Sequence, residues 1–236
     1  MKSLVIRNCK IDDIQELATL VQNNTDLETF ELCTIADECG DYVVADLSQL
    51  FVALKECKSL KHLTLFNCGI GTFCRYREYN EIPFIVNFLK SCKLKELSFW
   101  GNFIGCDDCV AMKDNKTITA LSFECNSIQE KGLAAIGTFI RTNKKLLKLN
   151  ISDNSYIQEG LDSIEDALQY NKTLVELHHW TEHEQVDEKQ SYRSWNERIM
   201  SLYKIDRNTF NLNGIVGVIP IEEQSVKVAR YSALLT

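Results

Sequence analysis

Six times along this chain, apolar residues fall at relative positions 0, 3 and 5 of a short window, a seventh window begins the same way, and in five windows position 10 is apolar as well. The complete windows are Met1, Leu4, Ile6, Ile11; Leu60, Leu63, Leu65, Ile70; Leu94, Leu97, Phe99, Ile104; Ile118, Leu121, Phe123, Ile128; and Leu146, Leu149, Ile151, Tyr156. In these same five windows position 8 is Cys or Asn: Cys9, Cys68, Asn102, Asn126 and Asn154. Leu174, Leu177, His179 begin a further copy, and Leu27, Phe30, Leu32 make a poorer one. A unit this short cannot bury its apolar face alone, so copies must stack on one another and form a continuous core. The 0, 3, 5 residues point inward, and the Cys or Asn at position 8 turns the chain where it can satisfy backbone groups of the next copy.

Window starts at 1, 27, 60, 94, 118, 146 and 174 are 26, 33, 34, 24, 28 and 28 residues apart. A period near 28 leaves room for an α-helix between strands, and the spacing there does switch to helical: Ile14, Leu17, Ala18, Val21; Val44, Leu47, Leu50, Leu54; Ile85, Phe88, Leu89; Leu133, Ile136, Ile140; Leu161, Ile164, Leu168. Asn24, Cys57, Asn115, Asn143 and Asn171 each stand three residues before a window. Asparagine tolerates the left-handed conformation that closes helices, so these residues are expected to be caps. That role is preferred to glycosylation even where Asn115-Lys-Thr and Asn171-Lys-Thr spell the acceptor sequence.

The pattern resembles the leucine-rich repeat, L-x-x-L-x-L-x-x-N/C-x-L, over residues 1–182, and the period is similar to that of its ribonuclease-inhibitor-like class. The resemblance implies an α/β fold: a solenoid of six to seven repeats with a curved parallel sheet on the concave side and helices outside. Residues 183–236 are expected to form a helical C-terminal cap and tail, because Tyr192, Trp195, Ile199, Leu202 and Tyr203 keep helical spacing and the last repeat needs a cover for its apolar face. The first repeat begins at Met1, which suggests an uncapped edge through which the chain is a monomer or a weak oligomer.

A net charge of −7 and pI near 5.2 argue against nucleic acid as partner, and no apolar run reaches the roughly 18 residues of a membrane span. The start MKSLVIRNCKIDD lacks a signal-peptide core, so the expected location is cytoplasmic, or a host cell reached without a cleaved signal. The C-terminus, with Glu222-Glu223 before Leu234-Leu235, is similar to the tails of type IV-secreted bacterial effectors. The 10 cysteines, confined to the first 125 residues, read as reduced and small-apolar.

Two motifs suggest metal chemistry. His179, Glu182 and His183 spell H-x-x-E-H, but zinc peptidases need both histidines on one helix, whereas the repeat puts Leu174–His179 on a strand and turn, with His179 half-buried in the third core position. Cys106-Asp-Asp-Cys109 has no second C-x-x-C to complete four ligands. No phosphate loop or nucleophile motif is present, so neither a cofactor nor a catalytic residue is expected; a zinc-dependent enzyme built on Cys106, Cys109, His178, His179 and His183 is the lowest-ranked alternative.

Function is therefore expected to be non-catalytic binding of a partner protein on the concave surface. Positions 2, 4 and 6 of each strand face away from the core. They bring Phe66 beside Trp100, with Trp180 at the far end, as aromatic anchors, flanked by Glu31, Glu96, Glu124 and Glu176 and by His62 and His178. Four glutamates against Arg7 and Lys148 suit a partner with a basic surface. A second candidate is the insertion 71–81, with Phe73, Arg75, Tyr76, Arg77 and Tyr79. Two alternative roles rest on resemblance: an actin-capping regulator, since Leu146–Leu177 is similar to the tropomodulin repeat domain, and a GTPase-activating protein on ribonuclease-inhibitor-like repeats.

Overall fold

The structure, a computed structural model, describes residues 1–9, 14–34, 46–71, 82–110, 112, 115–154 and 158–179. Each of the seven windows forms a strand: β1 Ser3–Cys9, β2 Thr29–Thr34, β3 His62–Phe66, β4 Glu96–Ser98, β5 Ala120–Ser122, β6 Lys148–Asn150 and β7 Glu176–His178. They make one parallel sheet in chain order. Among the described residues six helices alternate with them: α1 Ile14–Gln22, α2 Ser48–Glu56, α3 Ile82–Ser91, α4 Cys106–Val110, α5 Glu130–Thr142 and α6 Gln158–Tyr170. This is the expected α/β repeat solenoid, including the poorer window at Leu27.

From β2 onward the register is uniform, and β1 keeps it against β2 through Ile6 and Leu32 before it shifts ahead of Cys9 and Thr34. Position 3 of one repeat pairs with position 3 of the next, as Phe30 with Leu63, Leu63 with Leu97, Leu97 with Leu121, Leu121 with Leu149 and Leu149 with Leu177. A slip of one residue would turn each strand's apolar side chains outward, so the buried face fixes the alignment. Behind the sheet lie Phe30, Phe51, Phe88, Phe99, Phe123 and Phe139, all fully buried. Phe51 meets Phe88 at 5.8 Å and Phe99 meets Phe123 at 6.2 Å between ring centroids. The small α4 is one turn long because only 24 residues separate the windows at 94 and 118. Helical spacing did not announce it.

Two asparagine ladders join the repeats. At strand exits, Asn126 Nδ2 donates to Phe99 O of the preceding repeat at 2.6 Å and to Phe123 O, while its Oδ1 accepts from Ile104 N at 3.0 Å. Asn102 and Asn154 repeat the arrangement, reaching Leu65 O and Phe123 O. The second ladder stands at helix ends: Asn171 Nδ2 donates to Asn143 O and Asn143 Nδ2 to Asn115 O, each at 3.0 Å. Their Oδ1 atoms accept backbone N–H groups two and three residues on, as from Lys145 and Leu146 to Asn143.

The left-handed cap expected of these residues is not what the chain adopts. Asn143 has φ −79° and ψ 133°, an extended backbone, and it closes α5 with its own N–H to Phe139 O while its side chain bonds the preceding repeat and the segment that follows. Left-handed residues occur instead at position 7, where strands end: Asn67, Gly101, Cys125 and Asp153. Asn115 and Asn171 are buried with their amide nitrogens donating to backbone carbonyls, which leaves no room for a glycan.

Each ladder asparagine satisfies buried backbone groups in two repeats, and a buried donor or acceptor left without a partner costs about 1–3 kcal/mol. Asn126→Ala, which strands several, is expected to lower the unfolding free energy by roughly 3 kcal/mol in urea titrations, against less than about 0.5 kcal/mol for the exposed Lys131→Ala.

Candidate functional site

The parallel register carries side chains at equivalent positions into rows across the concave face. At position 6 the row brings Phe66 against Trp100: their rings are 4.1 Å apart between centroids and 2° from parallel, and both residues are half-buried. The pair is held from below. Asn67 N–H donates to Trp100 O at 3.1 Å, and Asn67 and Gly101, the residues after each aromatic, are both left-handed. A Cβ on Gly101 would stand 2.1 Å from Asn67 Oδ1, so a larger residue here would have to displace the Asn67 side-chain tip.

Next in the row is Glu124, partly buried, which accepts hydrogen bonds from the Trp100 indole and from Asn150 Nδ2, the latter at 2.6 Å. Burial pushes its carboxyl above the ordinary glutamate range and Asp153 adds to this, while the two hydrogen bonds and the His178 ring act in the opposite direction. Trp100 is therefore fixed by a ring on one side and a carboxylate on its N–H, a pre-organised aromatic rather than a loose surface one.

The other concave carboxylates are engaged across strands. Arg7 grips Glu31 through Nε at 2.6 Å and Nη2 at 3.1 Å. His62 Nδ1 lies 3.0 Å from Glu96. Lys148 Nζ and His178 Nε2 approach Glu176 at 2.6 and 2.8 Å, and the lysine first, then the histidine, hold that carboxyl below its usual range. Four carboxylates thus share the described concave rows with two permanent cations, Arg7 and Lys148. The pairing was not evident from the residue types, yet alignment dictated it: His62 with Glu96 and Lys148 with Glu176 join position 2 of adjacent repeats, and Arg7 at position 6 meets Glu31 at position 4. Trp180, His183 and the insertion with Arg75, Tyr76, Arg77 and Tyr79 lie outside the described residues, as does the cap at 183–236.

Metal chemistry finds different residues from those the motifs offered. Cys109 on α4 is fully buried, and burial raises its thiol well above the ordinary value, the reverse of what a zinc thiolate needs. His179 is buried at 6% exposure rather than half-buried, and follows β7. Glu124, Cys125 and Asp153 form a cluster whose ligand atoms lie within 4.8 Å of one another, at the edge of the aromatic pair. Cys125 and Asp153 are both position-7 residues, a row the sequence pattern does not mark because Asn67, Gly101, Cys125 and Asp153 share only their backbone conformation.

A profile of the family described as Leucine Rich repeat matches residues 114–137, one repeat of this chain. No curated protein matches the sequence significantly. Among solved structures, the chain is similar to leiomodin-1 actin-binding site 2, at 19% identity over 82% of this chain and 93% of that one with TM-score 0.42. It is also similar to an internalin from Listeria monocytogenes, at 13% identity over 83% and 78% of the two chains with TM-score 0.24. Among the described residues no helix is long and apolar enough to cross a membrane.

Glu124 makes the site's pH dependence predictable in sign. The unfolded chain ionises this carboxyl in the ordinary range and the folded protein only at higher pH, so stability falls as pH rises through that window and stays lower above it. Glu124→Gln, which keeps an acceptor for the indole and removes the buried charge, is expected to gain stability over the parent at neutral pH. Thermal melts at a series of pH values should show the difference vanish as pH falls below the ordinary glutamate range.

Proposed function

We propose that this leucine-rich-repeat solenoid is a non-catalytic scaffold that binds a partner protein on its concave face, with Phe66 and Trp100 as anchors. The observation that carries this is the half-buried, parallel aromatic stack at the centre of the sheet. Two large rings held in one orientation lose little freedom when a partner covers them, and rigid aromatics near the centre of an interface supply most of its energy.

The surroundings favour a partner with a basic surface. Glu31, Glu96, Glu124 and Glu176 exceed the local cations, and their partners within the fold fix where the negative charge sits. Cross-strand pairing orients these carboxylates before an encounter, which favours association rate and alignment over raw affinity. Trp180 extends the same row by position, and the insertion with Arg75, Tyr76, Arg77 and Tyr79 is a second contact region in this proposal.

The test compares the intact protein with Phe66→Ala/Trp100→Ala in pull-downs from a eukaryotic lysate read by mass spectrometry, followed by affinity measurement on any partner found. The double variant is expected to lose about 2 kcal/mol or more of binding, a factor of roughly 30, while its melting temperature falls by only a few degrees. Partner lists that are the same for both proteins would remove the concave aromatics from the function.

A further inference from the structure

All helices of a parallel solenoid run the same way, so all helix C-termini gather on one rim of the molecule. Among described residues, the rim segments 54–61, 88–95, 115–119, 141–147 and 169–175 hold eleven lysines and arginines against one carboxylate, Glu56, while the first repeat's segment 21–28 has no cation and carries Asp26 and Glu28, the latter paired with Lys61, so the basic stretch runs from α2 onward. All but Lys55 are exposed. The excess is locked to the repeat: the residue directly after each ladder residue Cys57, Asn115, Asn143 and Asn171 is Lys58, Lys116, Lys144 or Lys172. Uniform register sets these equivalent positions in line, over four strand steps or roughly 20 Å along the sheet.

Part of this row serves the fold. Lysine near a helix C-terminus complements the macrodipole, and Lys58 and Lys144 donate to Lys55 O and Arg141 O. Lys93, Lys95, Lys116 and Lys145 make no such carbonyl contact and have no carboxylate partner among the described residues. On the same rim stand two exposed apolar side chains, Leu147 and Tyr170, with the Arg141 guanidinium 3.9 Å over the Tyr170 ring.

We propose that this lysine rim docks the protein edge-on against an anionic lipid bilayer, separately from the concave binding face. Ten of the eleven cations are lysine, the compact point charge that suits a fluid layer of headgroups, whereas discrete recognition of phosphate or carboxylate favours the fork of arginine. Tyr170 and Leu147 are the side chains that settle at a headgroup boundary. A single-stranded nucleic acid would need aromatics to stack its bases, and Tyr170 has one face taken by Arg141. The net charge of −7 is no obstacle at contact, because charges beyond about 8 Å are screened at physiological salt.

The experiment is co-sedimentation of the full chain with vesicles of phosphatidylcholine alone or with about a third phosphatidylserine. The parent should partition onto the anionic vesicles, ignore the neutral ones and be released by salt. Lys93→Glu/Lys116→Glu/Lys145→Glu should lose at least about 100-fold in partitioning, since each basic residue near such a surface contributes about 5-fold. The matching triple arginine variant should bind like the parent, and Phe66→Ala/Trp100→Ala should too, which keeps this surface distinguishable from the concave one. Absence of parent binding, equal binding to neutral vesicles, or an unimpaired glutamate variant would overturn the proposal. So would a parent that ignores vesicles and holds a labelled single-stranded RNA at physiological salt.

Discussion

The asparagine amide is the group on which this architecture depends. A parallel repeat turns sharply at each end of its strand, and each turn leaves buried N–H and C=O groups that neither sheet nor helix can pair. An asparagine supplies two donors and an acceptor in one compact side chain, enough to close its own turn and reach the preceding repeat. Asn102, Asn126 and Asn154 do this where strands end, and Asn115, Asn143 and Asn171 where helices end. Where cysteine takes a ladder place, the contact weakens: Cys68 Sγ lies 3.6 Å from Leu32 O and Cys57 Sγ 3.9 Å from Asn24 O. The amide links therefore concentrate in the later repeats, where the spacing settles at 28 residues.

Because the ladders and the apolar face impose one register, the concave surface inherits it. Phe66 reaches Trp100 only because position 6 of one repeat falls beside position 6 of the next, and Glu124 reaches the Trp100 indole for the same reason. The cross-strand ion pairs are likewise products of alignment. Between solvent-exposed partners such as Lys148 and Glu176 they contribute little to stability, and their consequence is geometric: each pins a charge at a known place on the surface.

Strands, helix spacing, sheet order and the Phe66–Trp100 contact were legible in the sequence, because all follow from the period of apolar residues and the alternation of a strand. Three features were not. The extended backbone of Asn143 was hidden because asparagine suits both a left-handed cap and a side-chain cap, and only three-dimensional packing selects between them. The short α4 was hidden because one turn offers no periodicity to read. The Glu124, Cys125, Asp153 cluster was hidden because position 7, where Cys125 and Asp153 stand in adjacent repeats beside Glu124, has no residue-type signature and its residues share only a backbone conformation.

Total charge misleads for a molecule of this topology. In a globule with helices in mixed directions, basic and acidic residues that complement helix ends are scattered, and the net value of −7 would describe most of the surface fairly. Here every helix dipole points the same way, so the ordinary preference for acidic residues at helix starts and basic ones at helix ends sums along a rim and no longer cancels. Glu130 and Arg141, at opposite ends of α5, are one instance of this sorting. In the repeats that place lysine after the ladder residue, at Lys58, Lys116, Lys144 and Lys172, each adds one charge to the row, and a local helix-end preference becomes a molecular face. The same parallel order that aligns aromatics on the sheet thus aligns cations on the rim, and a chain acidic in total presents a basic edge.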